Sequence, residues 1–95
     1  MNNTEIAAVF KDIAYLLKCK KDNIFKIRAY EKAAMSIEQL TTDAGQLARE
    51  GRLKEIPGVG EAINKKIIEL VDTGHLEYYE KLKTEPAGDN SERTP

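Results

Sequence analysis

Residues 53–71, Leu53-Lys-Glu-Ile-Pro-Gly-Val-Gly-Glu-Ala-Ile-Asn-Lys-Lys-Ile-Ile-Glu-Leu-Val71, constrain this chain more than any other stretch. Pro57, Gly58 and Gly60 impose a tight turn between two helical patterns, and the second helix begins straight out of that turn. Glycine there permits a positive φ and lets another backbone approach with no Cβ in the way. The helix starting near Glu61 has unpaired N–H groups in its first turn, and these face the mouth of the turn. Such donors, at the positive end of a helix dipole, suit a phosphate.

The rest of the chain reads as helices. A first helix is predicted from about Thr4 to Leu17, with Ile6, Val9, Phe10, Ile13, Leu16 and Leu17 on one stripe and Asn3 or Thr4 as its cap. A second carries Ile27, Tyr30, Ala33, Ala34, Ile37 and Leu40. Thr41-Thr42-Asp43 offers caps for a short third helix that stops at Gly51. Arg52 to Ile56 and Glu61 to Thr73 form the two arms of the hairpin, Gly74 closes the second arm, and His75 to Lys83 makes a last helix. In that helix Leu76, Tyr79 and Leu82 point inward and Tyr78 is left exposed. No strand pattern competes. The expected fold is all-α, a compact bundle of five or six short helices with one helix-hairpin-helix at residues 52–74. Residues 1–83 form the domain; residues 84–95, with two prolines and no aromatic or branched aliphatic side chain, read as a disordered polar tail.

Length and composition narrow the function. A chain of 95 residues has little room for a deep substrate pocket. Apolar runs are far short of a membrane span, and the first residues lack the pattern of a signal peptide, so a cytoplasmic location is the default. Cys19 is the only cysteine and His75 the only histidine, which leaves no disulfide and no zinc cluster. The net charge is −1, yet Lys18, Lys20, Lys21, Lys26, Arg28 and Lys32 face only Asp22 and Glu31 within residues 18–32, a local excess of +4. One basic patch on a near-neutral domain can hold a nucleic-acid backbone through few phosphate contacts, with a shallow salt dependence.

Four segments carry a resemblance: Phe25-Lys-Ile-Arg-Ala-Tyr-Glu-Lys-Ala-Ala34, Glu50-Gly-Arg-Leu53, Ile56-Pro-Gly-Val-Gly60 and Thr73-Gly-His-Leu76. In this order and spacing they resemble the amino-terminal, lyase-type domain of family X DNA polymerases, over roughly residues 4–83. The resemblance implies sequence-independent binding of DNA at nicks, gaps or 5′-phosphate ends, in DNA repair. It assigns the strand contact to the backbone of Gly58, Val59, Gly60, Glu61 and Ala62, with Lys54, Lys65 and Lys66 adding charge. Lys26, Arg28, Tyr30 and Lys32 would engage the other side of the break. It also implies a monovalent cation, K+ or Na+, held by the carbonyls of Lys54, Ile56 and Val59 when DNA is bound. Other repair proteins are implied as further partners, and the domain is expected as a monomer. The nucleotidyl-transfer domain of such polymerases is absent from these residues, so this chain by itself does not polymerise DNA.

Members of that family with lyase activity use a lysine of the second hairpin helix as a Schiff-base nucleophile against a 5′-deoxyribose phosphate. Lys66 corresponds. Helical geometry agrees: Lys66 lies about 80° from the centre of the Ile63, Ile67, Leu70, Val71 stripe and Lys65 about 180° from it, so Lys66 is the flank lysine. Against lyase chemistry, Ala62, Tyr78 and His75 stand where many members carry basic residues, Glu31 adds a carboxylate beside the DNA-facing surface, and Phe25 replaces a stacking histidine. The near-neutral charge, Ala62, Tyr78 and Glu31 keep open a second reading, a protein interaction module that has lost DNA affinity, and Lys66 keeps open a third, a 5′-deoxyribose-phosphate lyase.

Overall fold

Two ion pairs show how the first two helices run. Lys11 Nζ meets Glu38 at 2.5 Å and Lys18 Nζ meets Glu31 at 2.8 Å, so seven residues along one helix match seven residues back along the other. In the computed structural model, which describes residues 1–85, α1 (Asn3–Cys19) and α2 (Ile24–Glu38) are therefore an antiparallel pair joined by a short loop. α3 (Ala44–Arg49), α4 (Glu61–Thr73) and α5 (Glu77–Thr84) complete the all-α fold, and no strand occurs among the described residues. The expected tail lies almost wholly outside the described residues; α5 runs one residue past the boundary drawn from sequence, to Thr84.

The core follows the predicted stripes. Ile6, Phe10, Ile13 and Leu17 of α1 meet Ile27, Ala33, Ala34 and Ile37 of α2, and Ile67 and Leu70 close the core from α4. Fully burying each of these branched side chains contributes about 1.5–3 kcal/mol. α4 rests on α3, and α5 on α1. Leu16 and Val71, read as stripe members, are only partly buried, at the stripe margins.

The caps differ from expectation in one place. Asn2, not Asn3 or Thr4, caps α1: its side chain accepts from the Glu5 N–H at 2.8 Å, and Glu5 returns the bond to the Asn2 N–H at 2.9 Å. Asn3 is thereby freed to reach across the chain. Its amide donates to the Thr42 carbonyl at 3.0 Å and accepts from the Ala44 N–H at 2.8 Å, tying α1 to the entry of α3. Asp43 caps α3, and Gly51 and Gly74 follow α3 and α4 with φ of 69° and 78°.

Candidate nucleic-acid interface

The hairpin is built from less helix than the sequence suggested. The first arm, expected over Arg52–Ile56, is one 3-10 turn, Leu53–Glu55. Pro57 is the reason: its ring disfavours helical geometry at Ile56, which sits at φ −75° and ψ 125°. Ile56 and Val59 then drop into the core at 2% and 6% exposure and pin the turn from both sides of Pro57 and Gly58. The second arm matches expectation residue for residue, as α4 from Glu61 to Thr73.

The two hairpin glycines do different work. Gly58 takes φ +86°, a left-handed conformation that is costly for a residue with a Cβ. A Cβ there would also lie 2.9 Å from Cγ of Lys32, whose stem crosses the turn. Gly60 has φ −96°, ordinary for any residue, and a Cβ there would meet nothing within 4 Å. Gly60 thus leaves an open approach to the mouth, where no side chain caps α4. Among the described residues the amides of Gly58, Gly60, Glu61 and Ala62 donate to no hydrogen bond. The Val59 amide, by contrast, is committed to the Ile56 carbonyl at 3.1 Å, so of its polar backbone only the carbonyl is left to offer.

Lys26, Tyr30, Gly58, Gly60, Glu61 and Ala62 line one open groove of about 390 Å³, so α2 and the hairpin mouth share a surface. Arg28 does not line it, because two helical steps from Lys26 turn a side chain about 200° away. Tyr30 is 5% exposed and forms part of the groove floor rather than a surface contact. Burial, with Tyr78 beside it, pushes its phenol well above the ordinary range. Lys54 is paired with Glu61 at 3.0 Å, which draws the Glu61 carboxyl below its ordinary value. Phe25, at 75% exposure, projects from the first turn of α2.

Lys65 is exposed and Lys66 half-buried, as the helical geometry predicted. Desolvation is the main influence lowering the Lys66 pKa; Lys26 lowers it further and Glu69 opposes both. Tyr78 is not the exposed residue expected from sequence. It is partly buried, stacked on Tyr30 at 6.1 Å between ring centres, and Lys66 Nζ lies 4.7 Å from its ring centre. Leu82, four residues on and buried, was the available signal, since residues four apart share a helix face.

A family of helix-hairpin-helix domains matches residues 1–76. The chain belongs to that family. This helix-hairpin-helix domain is also 31% identical, over 85 residues, to the DNA polymerase/3′-5′ exonuclease PolX of Bacillus subtilis (strain 168). The match takes in 90% of this chain and 14% of that protein. Both findings agree with the likeness to family X amino-terminal domains read from the sequence.

Among the described residues, no three or more His, Cys, Asp or Glu side chains gather to hold a metal ion, and no helix is long and apolar enough to cross a membrane. The hairpin carbonyls are compatible with a cation that takes oxygen ligands. Those of Lys54 and Val59 accept no backbone hydrogen bond among the described residues, and that of Ile56 accepts one, leaving a lone pair.

Proposed function

We propose that this helix-hairpin-helix domain binds DNA without reading sequence, at nicks, gaps or 5′-phosphate ends. The observation that carries the reading is the uncapped start of α4, whose free amides at Glu61 and Ala62 open onto a groove shared with Lys26. Main-chain donors and lysines contact phosphate and sugar, so they position the strand but leave its bases unread. Lys32, carried over Gly58, adds charge at the same mouth. Phe25 offers an exposed ring on which an unpaired base can stack. The carbonyls of Lys54, Ile56 and Val59 would hold a K+ or Na+ ion, which would supply positive charge for a phosphate at the turn.

Binding to a one-nucleotide gapped duplex with a 5′-phosphate tests the reading, beside the unphosphorylated gap and intact duplex at two salt concentrations. Preference for the phosphorylated gap, weakening with salt, is expected. Absence of binding even at low salt overturns it and leaves a scaffold for a protein partner.

The half-buried Lys66, on α4 but not among the residues that line that groove, favours a second activity, 5′-deoxyribose-phosphate lyase. The amine must be neutral to add to the C1′ aldehyde, and loss of water gives an iminium. Loss of a C2′ proton to water breaks the C3′–O bond so that the strand leaves with its 5′-phosphate, and hydrolysis of the imine returns the lysine. Desolvation and Lys26 both favour the neutral amine. Borohydride should trap a covalent DNA adduct with the unaltered chain and none with Lys66→Ala; equal trapping in both removes Lys66 as nucleophile.

A further inference from the structure

Phe10, Tyr30, Tyr78 and Lys66 form one column from the core to the surface. Phe10 is wholly buried, its ring centre 5.8 Å from that of Tyr30. The Tyr30 and Tyr78 rings are inclined by only 15°, and the Lys66 ammonium lies over the Tyr78 ring. Two grooves flank the column: Tyr30 lines one, Tyr78 the other, and Lys26 lines both.

We propose that Tyr78 is the positioning residue for Lys66, seating its amine on the ring face beside Lys26 at the DNA-end site. This rests on the reading that Lys66 serves that site. A free lysine samples many rotamers, and fixing it against a ring supported by two further aromatics leaves little ordering to be done when a ligand arrives. The ring face attracts a cation. It therefore holds the ammonium that would meet a phosphate, and would equally hold the cationic iminium that follows attack on an aldehyde. Desolvation and Lys26 disfavour the charged amine and Glu69 favours it; the Tyr78 ring face, 4.7 Å from Nζ, adds an attraction for the charged form. With Ala62 offering no cation at the mouth, the placement of Lys66 matters more.

Tyr78→Phe keeps the ring and Tyr78→Leu removes it. In the full chain with 13C-methylated lysines, the Lys66 signal, assigned by its absence in Lys66→Arg, should be displaced upfield by the ring. Tyr78→Phe should retain that displacement, and Tyr78→Leu should lose it. Affinity for the phosphorylated gap should fall about two- to fivefold in Tyr78→Leu and recover in Tyr78→Phe. An undisplaced Lys66 signal in the unaltered chain overturns the proposal, as does equal DNA binding by the chain and a folded Tyr78→Leu variant. A displaced signal in a chain that leaves DNA unbound upholds the seating of Lys66 and removes the DNA reading instead.

Discussion

Lys54 and Glu61 face each other across the hairpin turn, ammonium to carboxylate at 3.0 Å. The pair lies at the mouth where a phosphate would approach the first amides of α4. On the proposed reading Glu61 would be a built-in competitor, repelling a phosphate and engaging a lysine that would otherwise attract one. The pair itself adds little to stability, because both side chains are exposed.

Glu61→Gln should accordingly leave unfolding nearly unchanged and tighten binding to a phosphorylated gap about threefold, the effect of roughly 0.7 kcal/mol. Freeing Lys54 should also steepen the dependence of log K on log salt by about 0.9, one additional phosphate contact. Titrations of both proteins across salt concentrations check this. An unchanged or weakened affinity would mean that the phosphate does not approach Glu61.

Gly58 and Gly60 separate folding from binding. Gly58→Ala forces a Cβ into the left-handed region at φ +86° and against the Lys32 stem, and should cost about 1–2 kcal/mol or more in urea denaturation. Gly60→Ala meets no strain and no neighbour within 4 Å, so stability should hold or rise by about 0.5 kcal/mol. Its methyl would nevertheless stand in the approach to the mouth, and DNA affinity should fall about tenfold, a loss near 1.4 kcal/mol. If Gly60→Ala bound as the unaltered chain does, the backbone at Gly60 would not touch the strand.

Helices with one buried stripe were legible, because period 3.6 fixes which side chains meet the core regardless of what they meet there. The extent of α4 and the end of α3 before Gly51 followed from local chemistry. Relations between distant residues were not. Lys32 over Gly58 and Asn3 against Thr42 and Ala44 join positions whose spacing carries no signal. The first hairpin arm was misread because the helical pattern of Leu53 and Ile56 says nothing about the restriction that Pro57 places on the residue before it.

Asn3 gives that lesson an energetic test. Its amide satisfies two backbone groups at the start of α3, so Asn3→Ala should cost about 1–3 kcal/mol by leaving them less well paired. Asn2→Ala removes a helix cap alone and should cost about 1 kcal/mol. Denaturation of both variants decides the order; a smaller loss at Asn3 would mean that water replaces both bonds.

Tyr79 ties α5 to α1, its hydroxyl donating to Asp12 Oδ2 at 2.5 Å. Burial, then the bond to Asp12, raises its phenol from the ordinary 10.0 to about 12. The unfolded chain therefore loses this proton first as pH rises. The Tyr79 contribution is present in full below pH 10.0 and drains away as pH climbs to about 12. Tyr79→Phe should cost about 1 kcal/mol at neutral pH through the lost bond, and the difference between the two proteins should shrink across that alkaline window. Urea denaturation at intervals from neutral pH into the alkaline range follows the difference directly. A gap that stayed constant with pH would mean that the hydroxyl gains nothing from Asp12 in the folded chain.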